Sequence, residues 1–205
     1  MTAGWRALST VAAAVTLAGC ASGRDCPAPT PADRSFGLAV IRRPQTPADH
    51  LPRALAPADA QLRSTRFLAS LAERRFYLVA VRAHVPRSRC PRTIVLIAEL
   101  VPHATRATSI GGATTAAEIR AGHVGGTSST RTASGAYTTW IAGLVPDGVS
   151  RVTVQIRSGQ RRTLAVASNF FAVGFSGRGD PRAPLVATVT WRDAPGHVLK
   201  VVRYS

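Results

Sequence analysis

The chain is expected to fold as an α+β domain that is mainly β, with short N-terminal helices packed on an antiparallel β-sandwich or rolled sheet. Three observations lead there. Residues 136–205 hold six short runs of strand-like character separated by turn chemistry. Residues 36–52 carry a helix-capping signal with room for only a short helix. The 205 residues are 45% hydrophobic, enough to bury one core of ordinary size.

The folded part is expected to begin near Phe36, after a spacer. In RRPQTPADHLP, Thr46 can cap a helix, Pro47 suits its first position, and Asp49 sits three residues after the cap, where the helix dipole favours a carboxylate. Pro52 should end that helix. A longer helix is predicted from about Asp59 to Arg74, because Leu62, Leu68, Leu71 and Ala72 approximate one helical face. Strands are predicted over Phe76 to Val81 and Thr93 to Val101, joined by a proline-bearing loop from Pro86 to Pro91.

From Thr105 to Ser134 the chain is rich in Thr, Ser, Gly and Ala. One short helix is expected there, Thr114 to Ala121, stopped by Gly122; the rest of the stretch is expected to be mobile, with a flexible loop over about 122–135. Tyr137 to Val145 reads as a strand, and Pro146-Asp147-Gly148 as a turn. Val152, Val154 and Ile156 then alternate with Arg151, Thr153, Gln155 and Arg157, which sets one face in the core and one in water. Ser158-Gly159 turns the chain into Thr163 to Ala167. Phe171, Val173 and Phe175 mark the next strand, Leu185 to Trp191 another, and Asp193-Ala194-Pro195-Gly196 closes a hairpin with Val198 to Tyr204. Asn169 is read as support for a bend between strands.

The combination of RRPQTPADHLP, GLVPDGVSRVTV, SNFFAV and VTWRDAPGHVL resembles an uncharacterised family of exported actinobacterial proteins, over most of residues 38–202. The resemblance implies a fold and no chemistry, since its motifs are turn-and-strand patterns.

The N-terminus reads as an export signal. Arg6 precedes an apolar run from Ala7 to Ala18, too short to span a bilayer, which takes about 20 apolar residues. The run ends in Leu17-Ala18-Gly19-Cys20, which resembles the lipobox of bacterial lipoproteins. Residues 1–19 would then be removed and Cys20 would carry diacylglycerol, which holds stably where a single acyl chain does not. The chain from Ala21 to Ser35 contains three prolines and no apolar periodicity, so it reads as a tether. On this reading the protein sits on the extracytoplasmic face of the cell membrane.

With Cys20 lipidated, Cys26 and Cys90 remain, an even pair in an oxidising compartment. They are expected to pair, and closing a loop of this length stabilises by about 4 kcal/mol in the chain-entropy account. Two free thiols or a metal pair are the alternatives, and the missing histidine at ligand spacing makes the metal site poor.

The formal charge is +16, and Lys200 is the only lysine. A GC-rich genome produces such an arginine excess regardless of function. Near a membrane, the charge still favours anionic lipid or wall polymer as a partner. No arginine run interleaved with aromatics marks a specific nucleic-acid site. Arg151, Arg157, Arg161, Arg162, Arg192 and Arg203 form the candidate anion-binding surface.

No catalytic constellation stands out. His50, His84, His103, His123 and His197 are dispersed, with no HExxH pair, so neither a metal nor another cofactor is expected. Glu99, in the apolar run IVLIAEL, is read as an outward-facing carboxylate near an arginine. Ser176 lacks the second glycine of a nucleophile elbow and is read as loop. The expected function is a lipid-anchored envelope protein acting as a non-catalytic binding or scaffolding module. The alternative is an envelope hydrolase assembled from distant residues such as Glu99, His103 and His123.

Overall fold

The alternation of Val152, Val154 and Ile156 with polar neighbours becomes a strand with one wet face, and the Ser158-Gly159 turn closes the hairpin that follows it. In the computed structural model, residues 36–51, 60–83, 90–101, 108–123, 125–131, 135–178 and 186–204 are described.

The described strands form three antiparallel sheets. The first has β1 (Ala60–Leu71), β2 (Arg74–Ala83), β3 (Arg92–Leu100) and β4 (Thr108–Thr114) in the order β1-β2-β3-β4. The second runs β5-β6-β9, from β5 (Gly126–Arg131), β6 (Ala136–Leu144) and β9 (Phe170–Arg178). In the third, β7 (Arg151–Ile156), β8 (Arg161–Ala165), β10 (Val186–Arg192) and β11 (Val198–Arg203) take the order β11-β10-β7-β8. The mainly β, α+β expectation holds.

The second sheet lies between the other two. Ala142, Leu144, Phe170 and Ala172 pack against Leu68, Phe76, Leu78, Val95, Ile97 and Ile110 of the first sheet. Their neighbours Ile141, Phe171, Val173 and Phe175 point the other way, onto Val152, Val154, Ile156, Val189 and Trp191 of the third. Successive strand residues face opposite sides, so a sheet covered on both sides needs apolar residues at every position. Trp140 to Leu144 and Phe170 to Val173 meet that need.

Two short helical elements anchor the N-terminus of the described chain. Helix α1 (Ala39–Arg42) buries Val40 and Ile41 in the first core beside Phe36 and Leu38. A 3-10 turn over Pro47–Asp49 follows, with Thr46 as its N-cap, so the expected helix is a single turn that ends before Pro52. The helix between β4 and β5, α2 (Ala116–Ala121), matches its sequence signals. Thr115 caps it in a reciprocal box with Glu118, Gly122 ends it at φ 89°, and Ile119 enters the core.

Two expectations are overturned. The segment from Asp59 to Arg74 holds β1, not a helix, and makes a hairpin with β2. Its turn residues, Ala72 and Glu73, both have positive φ, at 46° and 66°, without the Asn-Gly chemistry that announces such a turn. A register shift between Phe67 and Ala69 also interrupts the period-two pattern. The second correction is the mobility expected around α2: Thr108–Thr114 is strand β4, paired with β3, and within the expected flexible loop over 122–135 Gly126–Arg131 is strand β5, paired along its length with β6. Polar Thr-Ser-Ser-Thr side chains hid it, because backbone pairing with β6 supplies what apolar periodicity does not.

Candidate functional site: an arginine-bearing sheet face

The inner face of the third sheet is fixed by Val152, Val154, Val189 and Trp191. Directly opposed residues of an antiparallel pair share a face, so the register gives the outer face row by row. One row reads Ala165, Arg151, Arg192 and Val198 across the strands. The next is Thr163, Thr153, Thr190 and Val201, and the third Arg161, Gln155, Thr188 and Arg203. A threonine row is therefore flanked by two rows that carry arginines.

Of the six arginines proposed from sequence, the structure brings Arg151, Arg161, Arg192 and Arg203 onto this one face. Arg162 opposes Val154 and so belongs to the other side of edge strand β8. Arg157 lies in the turn between β7 and β8. Among the described residues, none of the six forms an ion pair.

Local bonds fix part of the arrangement. Arg151 Nη2 donates to the Ala194 carbonyl at 3.1 Å, and Arg192 Nη1 to the Gly196 carbonyl at 2.9 Å. Both guanidiniums thus lean on the β10–β11 turn. Asp193 holds that turn, accepting from the Gly196 and His197 N–H groups and pairing with His197 Nδ1 at 2.9 Å. Desolvation works against its charge, but the bonds from His197 and Gly196 outweigh it and keep its carboxyl below the usual range. Thr153 is buried on the face, its hydroxyl 2.9 Å from that of Thr163.

Other polar clusters serve the fold. Asp49 is fully buried and accepts from both terminal nitrogens of Arg43 at 2.6 Å, from the Thr46 N–H and hydroxyl, and from the Phe67 N–H. Desolvation would raise its pKa, yet these donors hold it far below the ordinary carboxylate range. Glu99 corrects the outward-facing reading: it is buried, pairs with Arg74, and Arg74 in turn lies over the Trp140 ring at 5.5 Å. An open groove of about 610 Å³ beside α1 is lined by Arg42, Asp147, Val149 and Asn169, among others. Its polar groups bond to one another: Arg42 Nη2 donates to Asp147 Oδ2 at 2.5 Å and Asn169 Nδ2 to Asp147 Oδ1 at 2.8 Å.

Cys20 and Cys26 lie outside the described residues. Cys90 is half-buried just before β3. His84 and His103 also fall outside, while His50, His123 and His197 are exposed. Among the described residues no His, Cys, Asp and Glu side chains cluster as metal ligands, and no helix is long and apolar enough to cross a membrane. Ser176, read as loop, stands exposed on β9 with its hydroxyl 3.0 Å from that of Thr138. Comparison of the chain with protein-family models, curated proteins and solved structures finds no match.

Sequence reasoning missed the threonine row and the apolar edge formed by Val198 and Val201. Alternation within a strand assigns faces strand by strand. Only the register between strands aligns those faces into rows.

Proposed function

We propose that this is a lipid-anchored envelope protein, tethered through Cys20 and braced by a Cys26–Cys90 disulfide, whose third sheet binds an anionic envelope component without catalysing its conversion. The observation that carries the reading is the gathering of Arg151, Arg161, Arg192 and Arg203 on one solvent face with no ion-pair partner among the described residues. A guanidinium offers a planar fork of donors that fits phosphate and carboxylate oxygens. The alternative of a hydrolase built on Glu99, His103 and His123 gains no support from Glu99, which is sealed in its pair with Arg74.

Long-chain inorganic polyphosphate is the probe, titrated calorimetrically into the chain from residue 20 onward with Cys20→Ser. The double variant Arg151→Ala/Arg192→Ala should weaken binding roughly tenfold or more, since bonds to charged groups are each worth about 1.5–3 kcal/mol. Arg157→Ala/Arg162→Ala removes the same charge off the face and should cost far less. Equal losses in the two variants, or no binding, reject the face. Intact mass of the membrane-extracted protein tests the anchor separately: a chain starting at Cys20 with diacylglycerol mass supports it, and an unlipidated chain rejects it.

A further inference from the structure

The exposed large hydrophobic side chains among the described residues are Val198, Leu199 and Val201, exposed by 50%, 50% and 44%. All three lie on β11, the edge strand of the sheet that bears the arginines. Val198 and Val201 continue the rows of Arg151–Arg192 and Thr153–Thr190 on the outer face, and Arg203 ends the third row. Leu199 falls where the β10–β11 register shifts between Trp191 and Arg192. A bulge leaves one residue without an opposite partner and re-aims it. Lys200 turns the other way, with its ammonium on the Arg120 carbonyl at 2.6 Å and over the Trp191 ring.

Resting on the anion-binding reading above, we infer that this face docks on the surface of an anionic lipid bilayer, with Val198, Leu199 and Val201 entering the headgroup boundary while Arg192, Arg203 and their row-mates meet lipid phosphates. Charge complementarity alone fits a soluble polyanion equally well. The aliphatic edge separates the two: a hydrated polymer offers it nothing, whereas the boundary between headgroups and acyl chains takes apolar side chains and basic residues together. Membrane attraction of this kind adds the two contributions, so losing either should weaken it.

The test uses the chain from residue 20 onward with Cys20→Ser, so that no lipid of its own assists, sedimented with vesicles of phosphatidylglycerol mixed into phosphatidylcholine. Binding should rise with phosphatidylglycerol, vanish on pure phosphatidylcholine and fall with salt. Val198→Ser/Leu199→Ser/Val201→Ser and Arg192→Ala/Arg203→Ala should each lower the partition coefficient by roughly tenfold, against a small effect of Arg157→Ala/Arg162→Ala. Circular dichroism melts confirm that each variant is folded, and an exposed edge strand tolerates these changes. Polyphosphate binding without vesicle binding overturns the membrane inference and leaves the anion face standing. Loss of both removes both. A serine triple variant that binds vesicles like the parent overturns the inference, and so does concentration-dependent dimerisation that the triple variant abolishes while vesicle binding is absent.

Discussion

Asn169 donates its side-chain Nδ2 to Asp147 Oδ1 at 2.8 Å while its own Oδ1 accepts from the Val40 N–H at 3.0 Å, so one amide ties the β6–β7 turn to helix α1. Asn169 has φ 58°, a conformation that Asn tolerates better than most residues. Asn169→Ala should therefore destabilise the fold by about 2–4 kcal/mol, from orphaned buried groups plus left-handed strain. Urea denaturation of parent and variant measures this, and a change below about 0.5 kcal/mol would remove Asn169 from the clamp.

Asp49 sets a pH dependence. Its folded pKa is depressed, so the stability it lends is fully present above the unfolded carboxylate value near 4 and is lost as pH falls below it toward the folded value. Asp49→Asn should cost about 3–5 kcal/mol at neutral pH by leaving Arg43 without its buried partner. The gap between parent and variant should narrow as the pH of the denaturation series drops below about 4. A gap of constant size would contradict the assignment.

Arg74 and Glu99 are a pair in which each residue depends on the other. Glu99→Gln should cost about 3–5 kcal/mol, while Arg74→Met/Glu99→Leu, which removes both charges, should come within about 1–2 kcal/mol of the parent. A double-mutant cycle reads the coupling directly. Additive single effects would mean that the ion pair contributes nothing.

The hairpin between β1 and β2 invites a stabilising change. Ala72 and Glu73 are exposed and both at positive φ, where a Cβ costs about 1–2 kcal/mol. Ala72→Asn/Glu73→Gly should raise stability by about 1 kcal/mol, visible as a higher melting temperature.

Gly122 is the opposite case. At φ 89°, a Cβ there would come within 2.4 Å of Val202 Cγ2, and the Gly122 carbonyl accepts the Tyr204 hydroxyl at 2.8 Å. Gly122→Ala should destabilise by at least about 2 kcal/mol and loosen α2 from β11. Limited proteolysis next to α2 is the measurement, and an unchanged cleavage rate would count against that docking.

Most of the strands from Ala136 onward were legible because hydrophobic periodicity and turn chemistry agree there, as in Val152, Val154 and Ile156 before Ser158-Gly159. The Gly122 stop of α2 was legible as well, because a glycine tolerates the left-handed conformation that ends a helix; the Thr115 cap was not singled out. Strand β1 was not. Leu62, Leu68 and Leu71 happen to fit a helical spacing, and the turn that pairs β1 with β2 is built from the helix formers Ala72 and Glu73. Strand β5 carries no apolar signal at all. For the site, all six arginines could be named, but separating Arg162 from Arg161 took the register with β7, and linking Arg151 to Arg203 took three aligned strands. Glu99 was misplaced because its arginine lies in a neighbouring strand.

Strands β6 and β9 of the middle sheet, apolar on both faces over Trp140 to Leu144 and Phe170 to Val173, make the two half-cores interdependent. Neither outer sheet can detach without wetting the side of β6 and β9 that it covers, so the layers should melt as one cooperative unit. In deuterated solvent, the amides of Ile141, Gly143, Phe171 and Val173, which face the β6–β9 ladder, should be the last to exchange their protons, shielded by a layer on each side.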